Sequence, residues 1–317
     1  MPDIDVLLTV RSLPRLREAL PPAFRLHGLA DVDALPSETE VGIRAVACAP
    51  GTPVDGPFMD RFPKLEIIAG FGVGYDHIDA TAAAHRGIVV TNTPDVLTEE
   101  VADTAVGLMI MTARELSAAE RWLRAGQWRS AYPLTRGTLR DKTLGIFGLG
   151  RIGKAIARRA EAMGMRIAYH NRTEQNDLPY AYCASLAELA ERCDILLSVA
   201  PGGPFTADAV NADIFRALGE DGIFINIGRG SAVDEVALIE ALRDGTILSA
   251  GLDVFKDEPH VPSELIEMDH VVLLPHVGSA SIHTRNAMGQ LQADNLAHWF
   301  EKGAPLTPVA ETPWPRA

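Results

Sequence analysis

The chain has 317 residues, 47% hydrophobic and 22% charged, with 29 Lys and Arg against 42 Asp and Glu for a net charge of −13. That length suits two domains rather than one small core. The acidic balance, with no local Lys/Arg cluster to offset it, argues against nucleic acid or an anionic membrane as a partner. The N-terminal MPDIDVLLTV carries acids where a signal peptide carries bases, and its apolar run is too short to span a bilayer. Cys48, Cys183 and Cys193 are scattered, without metal-ligand spacing, as in a reducing compartment. A cytoplasmic protein is expected.

Short apolar, β-branched runs alternate with helical stretches, the pattern of parallel sheets covered on both faces. The first part carries such runs at 6–10, 45–49, 65–69 and 88–91, and the second at 144–147, 166–169, 195–199, 223–227, 249–252 and 271–274. Between the two sets, Pro94 breaks a strand, Thr98 suits an N-cap, and Glu99 and Glu100 suit a first helical turn. Val101, Ala105, Leu108, Met109, Thr112 and Leu116 then keep helical spacing. A helix this apolar is buried, within the monomer or against a second copy of the chain; the second is favoured, so a homodimer is expected. The last apolar strand leads to His276, and 284–303 reads as a helix long enough to return to the first domain. The predicted division is a discontinuous domain of 1–97 plus 285–317 and a second domain of 98–284, with a cleft between them.

The second domain opens on TLGIFGLGRIG at 143–153. Strand, glycine turn and helix follow in the order a dinucleotide-binding G-x-G-x-x-G requires. Gly148 makes the turn, Gly150 removes a Cβ that would block a pyrophosphate, and Gly153 lets the helix pack on the strand. The helix N-terminus offers N–H groups to phosphate. After the next strand an NAD site usually places Asp or Glu on the ribose 2′-hydroxyl. Here the chain reads His170-Asn171-Arg172-Thr173. Arg172 offers a charged fork to a 2′-phosphate, with Asn171 and Thr173 as neutral donors beside it, so NADP(H) is preferred over NAD(H).

Three later strands each end on a chemically useful residue: Arg229 after 223–227, Asp253 and Glu258 after 249–252, and His276 after 271–274. In parallel sheets these ends face the ligand crevice. Singly, each could be a surface cation, a solvated acid or a core histidine. Together they supply a carboxylate clamp, a proton donor and the acid that tunes it.

With these motifs the chain resembles the D-isomer-specific 2-hydroxyacid dehydrogenases. The closest likeness is to NADPH-preferring glyoxylate/hydroxypyruvate and hydroxyphenylpyruvate reductases. The likeness rests on AGFGVGYDHID at 69–79, GLGRIG at 148–153, NIGRG at 226–230, GLDVFKDEP at 251–259 and LPHVGSA at 274–280. It implies two doubly wound α/β domains, flavodoxin-like for substrate and Rossmann-like for cofactor, the latter carrying the dimerisation helix. It implies that Arg229 binds the substrate carboxylate and polarises the keto oxygen, that His276 is the general acid, and that Glu258 pairs with His276. Backbone N–H groups of Val73 and Gly74 would hold the carboxylate, and Asp253 would lie beside the nicotinamide amide. The implied cofactor contacts take in Thr98, Gly148, Leu149, Gly150, Arg151, Ile152 and Gly153, then Asn171 to Thr173. They continue through Val199, Ala200, Pro201, Ile227, Gly228, Arg229, Asp253, His276 and Gly278. The implied reaction is NADPH-dependent reduction of a small 2-keto acid to the D-2-hydroxy acid, with domain closure excluding water.

Rival readings are phosphoglycerate, formate or phosphite dehydrogenase on the same fold, and a nucleotide-sensing binding protein related to corepressors. The pocket walls that select the substrate are expected in 50–53, around Leu97, in 279–283 and in 128–134, where Trp128 and Tyr132 would reach a partner's cleft or simply pack in the core.

Overall fold

In the computed structural model, which describes residues 3–9, 14–28, 37–129 and 131–315, the apolar runs become the strands of two wholly parallel sheets. The chain divides into one unit of Met1–Leu97 with Ser281–Ala317 and another of Thr98–Ala280.

The first unit holds β1 (Ile4–Leu8), β2 (Phe24–Gly28), β3 (Ile43–Cys48), β4 (Ile67–Gly70) and β5 (Val89–Thr91). Their order β2-β1-β3-β4-β5 is that of a flavodoxin-like doubly wound sheet. Every residue of β1, β4 and β5 is buried, as expected of strands covered on both faces. The edge strand β2 escapes sequence reading because only Phe24 of its five residues is buried. The expected run 6–10 is seen as Ile4–Leu8; Val10 lies outside the described residues. The helix Ile282–Lys302 packs in this unit on the helix Pro14–Ala19 and on β4. Ser281 Oγ caps it by accepting from Thr284 N–H, and Gly303 ends it at φ 69°, so this helix joins the unit from residue 281 rather than 285. From its buried face, Gln292 Nε2 donates to the Cys48 and Ala69 carbonyls at 3.1 and 2.7 Å.

The second unit holds β6 (Thr143–Phe147), β7 (Arg166–His170), β8 (Ala181–Tyr182), β9 (Ile195–Ser198), β10 (Ile223–Asn226), β11 (Ser249–Leu252) and β12 (Val272–Leu273). Their order is β12-β11-β10-β9-β6-β7-β8, so the winding reverses between β6 and β9. Ligands of such sheets bind at that switch point, outside the carboxyl ends of the strands.

The helix after the first unit differs from expectation at both ends. It spans Thr98–Ala113, and Glu115 at φ 51° separates it from a second helix, Leu116–Arg124, to which Leu116 belongs. Thr98 does not cap it: its hydroxyl is buried without a hydrogen-bond partner. Val101, Ala105, Leu108, Met109 and Thr112 are buried within the unit, where this helix packs on the helix Arg151–Ala162 and on β11. The approach is close: a Cβ on Gly251 would lie 2.4 Å from Thr112 Oγ1. The apolar face therefore finds its cover inside the protomer, and its burial does not by itself call for a second copy.

No helix among the described residues is long and apolar enough to cross a membrane. All three cysteines are buried and unpaired, and burial pushes the Cys48 and Cys193 thiols up to about 12, which leaves them unreactive.

The start of β6 is tied down by Asp194, whose carboxylate accepts from Lys142 Nζ and Thr143 N–H at 2.8 Å each. Burial pushes this carboxyl up, but the Lys142 and Thr143 hydrogen bonds and the charges of Lys142 and Arg166 outweigh it and hold it low. A lowered carboxyl contributes stability that is complete above its unfolded value and is lost as the pH falls through the folded one. Asp194→Asn should thus cost about 1 kcal/mol near neutral pH, a figure discounted for a side chain one-third exposed. The gap in melting temperature from wild type should close below about pH 4, and a constant gap would contradict this origin.

Candidate active site

The glycine loop joins β6 to the helix Arg151–Ala162. Gly148 sits at φ 100°, and a Cβ there would lie 2.8 Å from the Ala200 backbone. At Gly153 it would lie 2.6 Å from the Gly148 carbonyl oxygen. Those two glycines are demanded by the fold itself. Gly150 is not: its φ is −86°, it is exposed, and an added Cβ would meet no protein atom within 4 Å. Its missing side chain leaves a cradle in front of a helix N-terminus that no side chain caps, which fits a dinucleotide pyrophosphate. The orphaned, buried Thr98 hydroxyl is a further polar atom suited to a ligand.

The turn after β7 presents Arg172 and Thr173, both exposed, with no acid between His170 and Thr173. Asn171 behaves differently from expectation. Its Oδ1 accepts the Leu149 N–H at 2.7 Å, so it braces the glycine loop instead of standing free beside Arg172. Gln175, which sequence reasoning missed, donates to the Leu149 carbonyl at 2.7 Å. Its own backbone N–H donates to the buried Tyr169 hydroxyl at 2.8 Å.

Arg229, Glu258 and His276 come from the ends of β10, β11 and β12, three neighbouring strands. Asn226 shapes the first of these turns: its Oδ1 accepts Gly228 N–H at 3.1 Å and its Nδ2 donates to the Arg229 carbonyl at 3.0 Å. Gly230 lies flat against the next loop, since a Cβ there would be 1.9 Å from the Phe255 carbonyl carbon. In that loop Phe255 N–H donates to Glu258 Oε1 at 3.0 Å. The other carboxylate oxygen, Oε2, lies 2.7 Å from His276 Nδ1. Burial pushes the Glu258 carboxyl up, yet the hydrogen bonds from His276 and Phe255 and the charges of His276 and Arg229 outweigh it and pull it below the usual range.

His276 itself sits in the left-handed region at φ 53°, a conformation costing on the order of 1–3 kcal/mol for a residue other than glycine. Asp253, 1% exposed, holds it there. The Asp253 carbonyl accepts His276 N–H at 2.9 Å, and its two carboxylate oxygens accept Val277 and Gly278 N–H at 2.7 and 2.8 Å. Burial raises the Asp253 carboxyl despite those two donors. Its first task is thus the turn that carries His276.

The remaining expected contacts lie along the same strand ends. Val199 and Ala200 back Gly148 and Gly228, Pro201 is exposed, Ile227 and Gly228 are buried, and Arg151 and Ile152 open the helix. Val73 and Gly74 belong to the loop after β4 of the first unit. Tyr132 packs its ring on Trp122 of its own chain at 5.4 Å, whereas Trp128 is 75% exposed. The stretch 128–134 thus does not act as one aromatic pair; Ser130 lies outside the described residues.

Residues 106–278 match the D-isomer specific 2-hydroxyacid dehydrogenase, NAD binding domain family. The hydroxyphenylpyruvate reductase of Plectranthus scutellarioides is 41% identical over 314 residues, covering 98% of this chain and all of that one. A glyoxylate/hydroxypyruvate reductase of Arabidopsis thaliana is 46% identical over 84% of this chain and 85% of its own. The crystal structure of an NADPH-dependent glyoxylate/hydroxypyruvate reductase from Sinorhizobium meliloti, in complex with NADP and malonate, is 51% identical. It superposes with a TM-score of 0.95 over 99% of both chains. On these sequences and this architecture, the chain belongs to the D-isomer-specific 2-hydroxyacid dehydrogenases.

Proposed function

We propose that this oxidoreductase is an NADPH-preferring reductase of small 2-keto acids of the glyoxylate and hydroxypyruvate class, yielding the D-2-hydroxy acid. The observation that carries the proposal is the 2.7 Å pairing of Glu258 with His276, with Arg229 at the neighbouring strand end. The Gly148–Gly153 loop would hold the dinucleotide by its pyrophosphate, and the bound cofactor would supply hydride for the keto carbon. Arg229 binds the substrate carboxylate and polarises the keto oxygen, so part of its contribution grows as negative charge develops. His276 holds its proton-donating Nε2 free because Nδ1 is engaged by Glu258, and it protonates the alkoxide oxygen. Glu258, its carboxyl held below the usual range despite burial, sets a negative charge against the imidazole. Val73 and Gly74 in the first unit hold the carboxylate through backbone N–H groups. Arg172 and Thr173 receive the 2′-phosphate, and the other strand-end residues named above line the dinucleotide. The protein works as a homodimer, an idea supported by exposed apolar side chains at Leu116, Leu123, Trp128 and Leu134. It works in the cytoplasm, where its thiols stay reduced.

A panel of glyoxylate, hydroxypyruvate, pyruvate and hydroxyphenylpyruvate, each with NADPH and NADH, tests the reaction. Steady NADPH oxidation with the first two is expected, and no turnover with any keto acid would refute it. Arg172→Ala should raise the NADPH KM by about 10- to 100-fold, the loss of charge-assisted hydrogen bonds, with little effect on NADH. A wild type equally efficient with NADH would sink the preference. Light scattering at micromolar concentration should give twice the chain mass; a fully active monomer would rule out the dimer.

A further inference from the structure

The loop after β4 runs Phe71-Gly72-Val73-Gly74-Tyr75, with no regular element to fix its peptides. Two consecutive residues at the end of β5, in the same unit, fasten it instead. Thr93, fully buried, brackets Gly72: its N–H donates to the Gly72 carbonyl at 2.8 Å, and its hydroxyl accepts Gly72 N–H at 2.9 Å. Asn92 then takes the next carbonyl, its Nδ2 donating to Val73 O at 2.8 Å. The amide must present its NH2 to the loop, since an oxygen there would oppose the Val73 oxygen. Asn92 is itself held by Thr307, whose hydroxyl donates to the Asn92 carbonyl at 2.6 Å and accepts from Asn295 Nδ2 at 2.9 Å.

A trans peptide is planar, so its C=O and the N–H of the next residue point in opposite directions. Holding the Val73 carbonyl on Asn92 therefore aims the Gly74 N–H the other way. Neither the Val73 nor the Gly74 N–H donates to any acceptor among the described residues. The peptide would otherwise flip easily, because a flip changes only ψ of Val73 and φ of Gly74, and glycine accepts either sign of φ. A flipped peptide would turn a carbonyl oxygen towards an approaching anion. We infer that Asn92 is a positioning residue for substrate: through the Val73–Gly74 peptide it aims the Gly74 N–H at the carboxylate of the 2-keto acid. The inference rests on the role given above to Val73 and Gly74.

The test compares Asn92→Ala, Asn92→Asp and Asn92→Gln in the full-length enzyme at saturating NADPH. The readouts are hydroxypyruvate kinetics, inhibition by oxalate, NADPH KM and melting temperature. Asn92→Ala should raise the keto-acid KM and the oxalate inhibition constant together by about tenfold, the size of one lost hydrogen bond to a charged group. Its kcat should fall less, and its NADPH KM and melting temperature should hold. Asn92→Asp, which sets an acceptor against the Val73 carbonyl, should be worse, and Asn92→Gln, which keeps a donor, should recover part of the loss. Unchanged KM and oxalate inhibition in Asn92→Ala would overturn the inference. So would equal losses in all three variants with weakened NADPH binding, the mark of general destabilisation. A wild type that reduces no 2-keto acid would instead count against the function itself, before any variant is made.

Discussion

The chemistry assigned to this protein depends on one hydrogen bond, His276 Nδ1 with Glu258 Oε2 at 2.7 Å. In the proposed reaction it leaves Nε2 for substrate, and it sets the imidazole against a carboxyl that the pairing helps pull below the usual range. Neither partner is held by its own secondary structure. Glu258 is steadied by the Phe255 N–H, and His276 stands on a left-handed turn held by three hydrogen bonds to Asp253. Burying the Asp253 carboxylate is unfavourable, as its raised carboxyl indicates, and so is the His276 backbone. Each cost is met by the surrounding contacts.

The second unit carries this pair within a row of interlocked strand ends. Gly148 after β6 and Gly228 after β10 both lie against the Val199–Ala200 backbone after β9. Gly230 lies against the Phe255–Lys256 peptide after β11, and Asp253 reaches across to Gly278 after β12. The loops after β6, β9, β10 and β11 are thus packed backbone to backbone, and the Asp253 carboxylate ties the loop after β12 to them. That arrangement lets one parallel sheet hold the glycine loop and the side chains of Arg229, Glu258 and His276 in a fixed register. It also explains why glycines recur at positions where a Cβ would collide with a neighbouring main chain.

Most of this order is legible in the sequence because buried parallel strands are continuous apolar runs, and because each chemical residue follows such a run directly. The succession of buried strands along the chain and the residues Arg229, Glu258 and His276 that follow them could be read that way. The edge strand β2 could not, since FRLHG buries only its first side chain, nor could β8, which has two residues. The helix after Thr98 reads as one periodic run through Leu116, and nothing in that pattern announces the left-handed Glu115 that ends it. Asn92 and Gln175 escape for a common reason. Each acts by a side-chain hydrogen bond to main chain that only the folded loops bring near, such as Gln175 on Leu149 across 26 residues. Polar residues of this kind look like ordinary loop composition until the acceptor is known.

The account stands most directly on the pH dependence of keto-acid reduction in Glu258→Gln compared with wild type. Glutamine keeps the size and a hydrogen bond but removes the negative charge beside the imidazole. The alkaline limb of the variant should therefore move to lower pH, with activity much reduced at high pH and partly recovered at low pH. An alkaline limb in the same place for both enzymes would contradict the pairing and leave Glu258 a loop acid without a part in proton transfer.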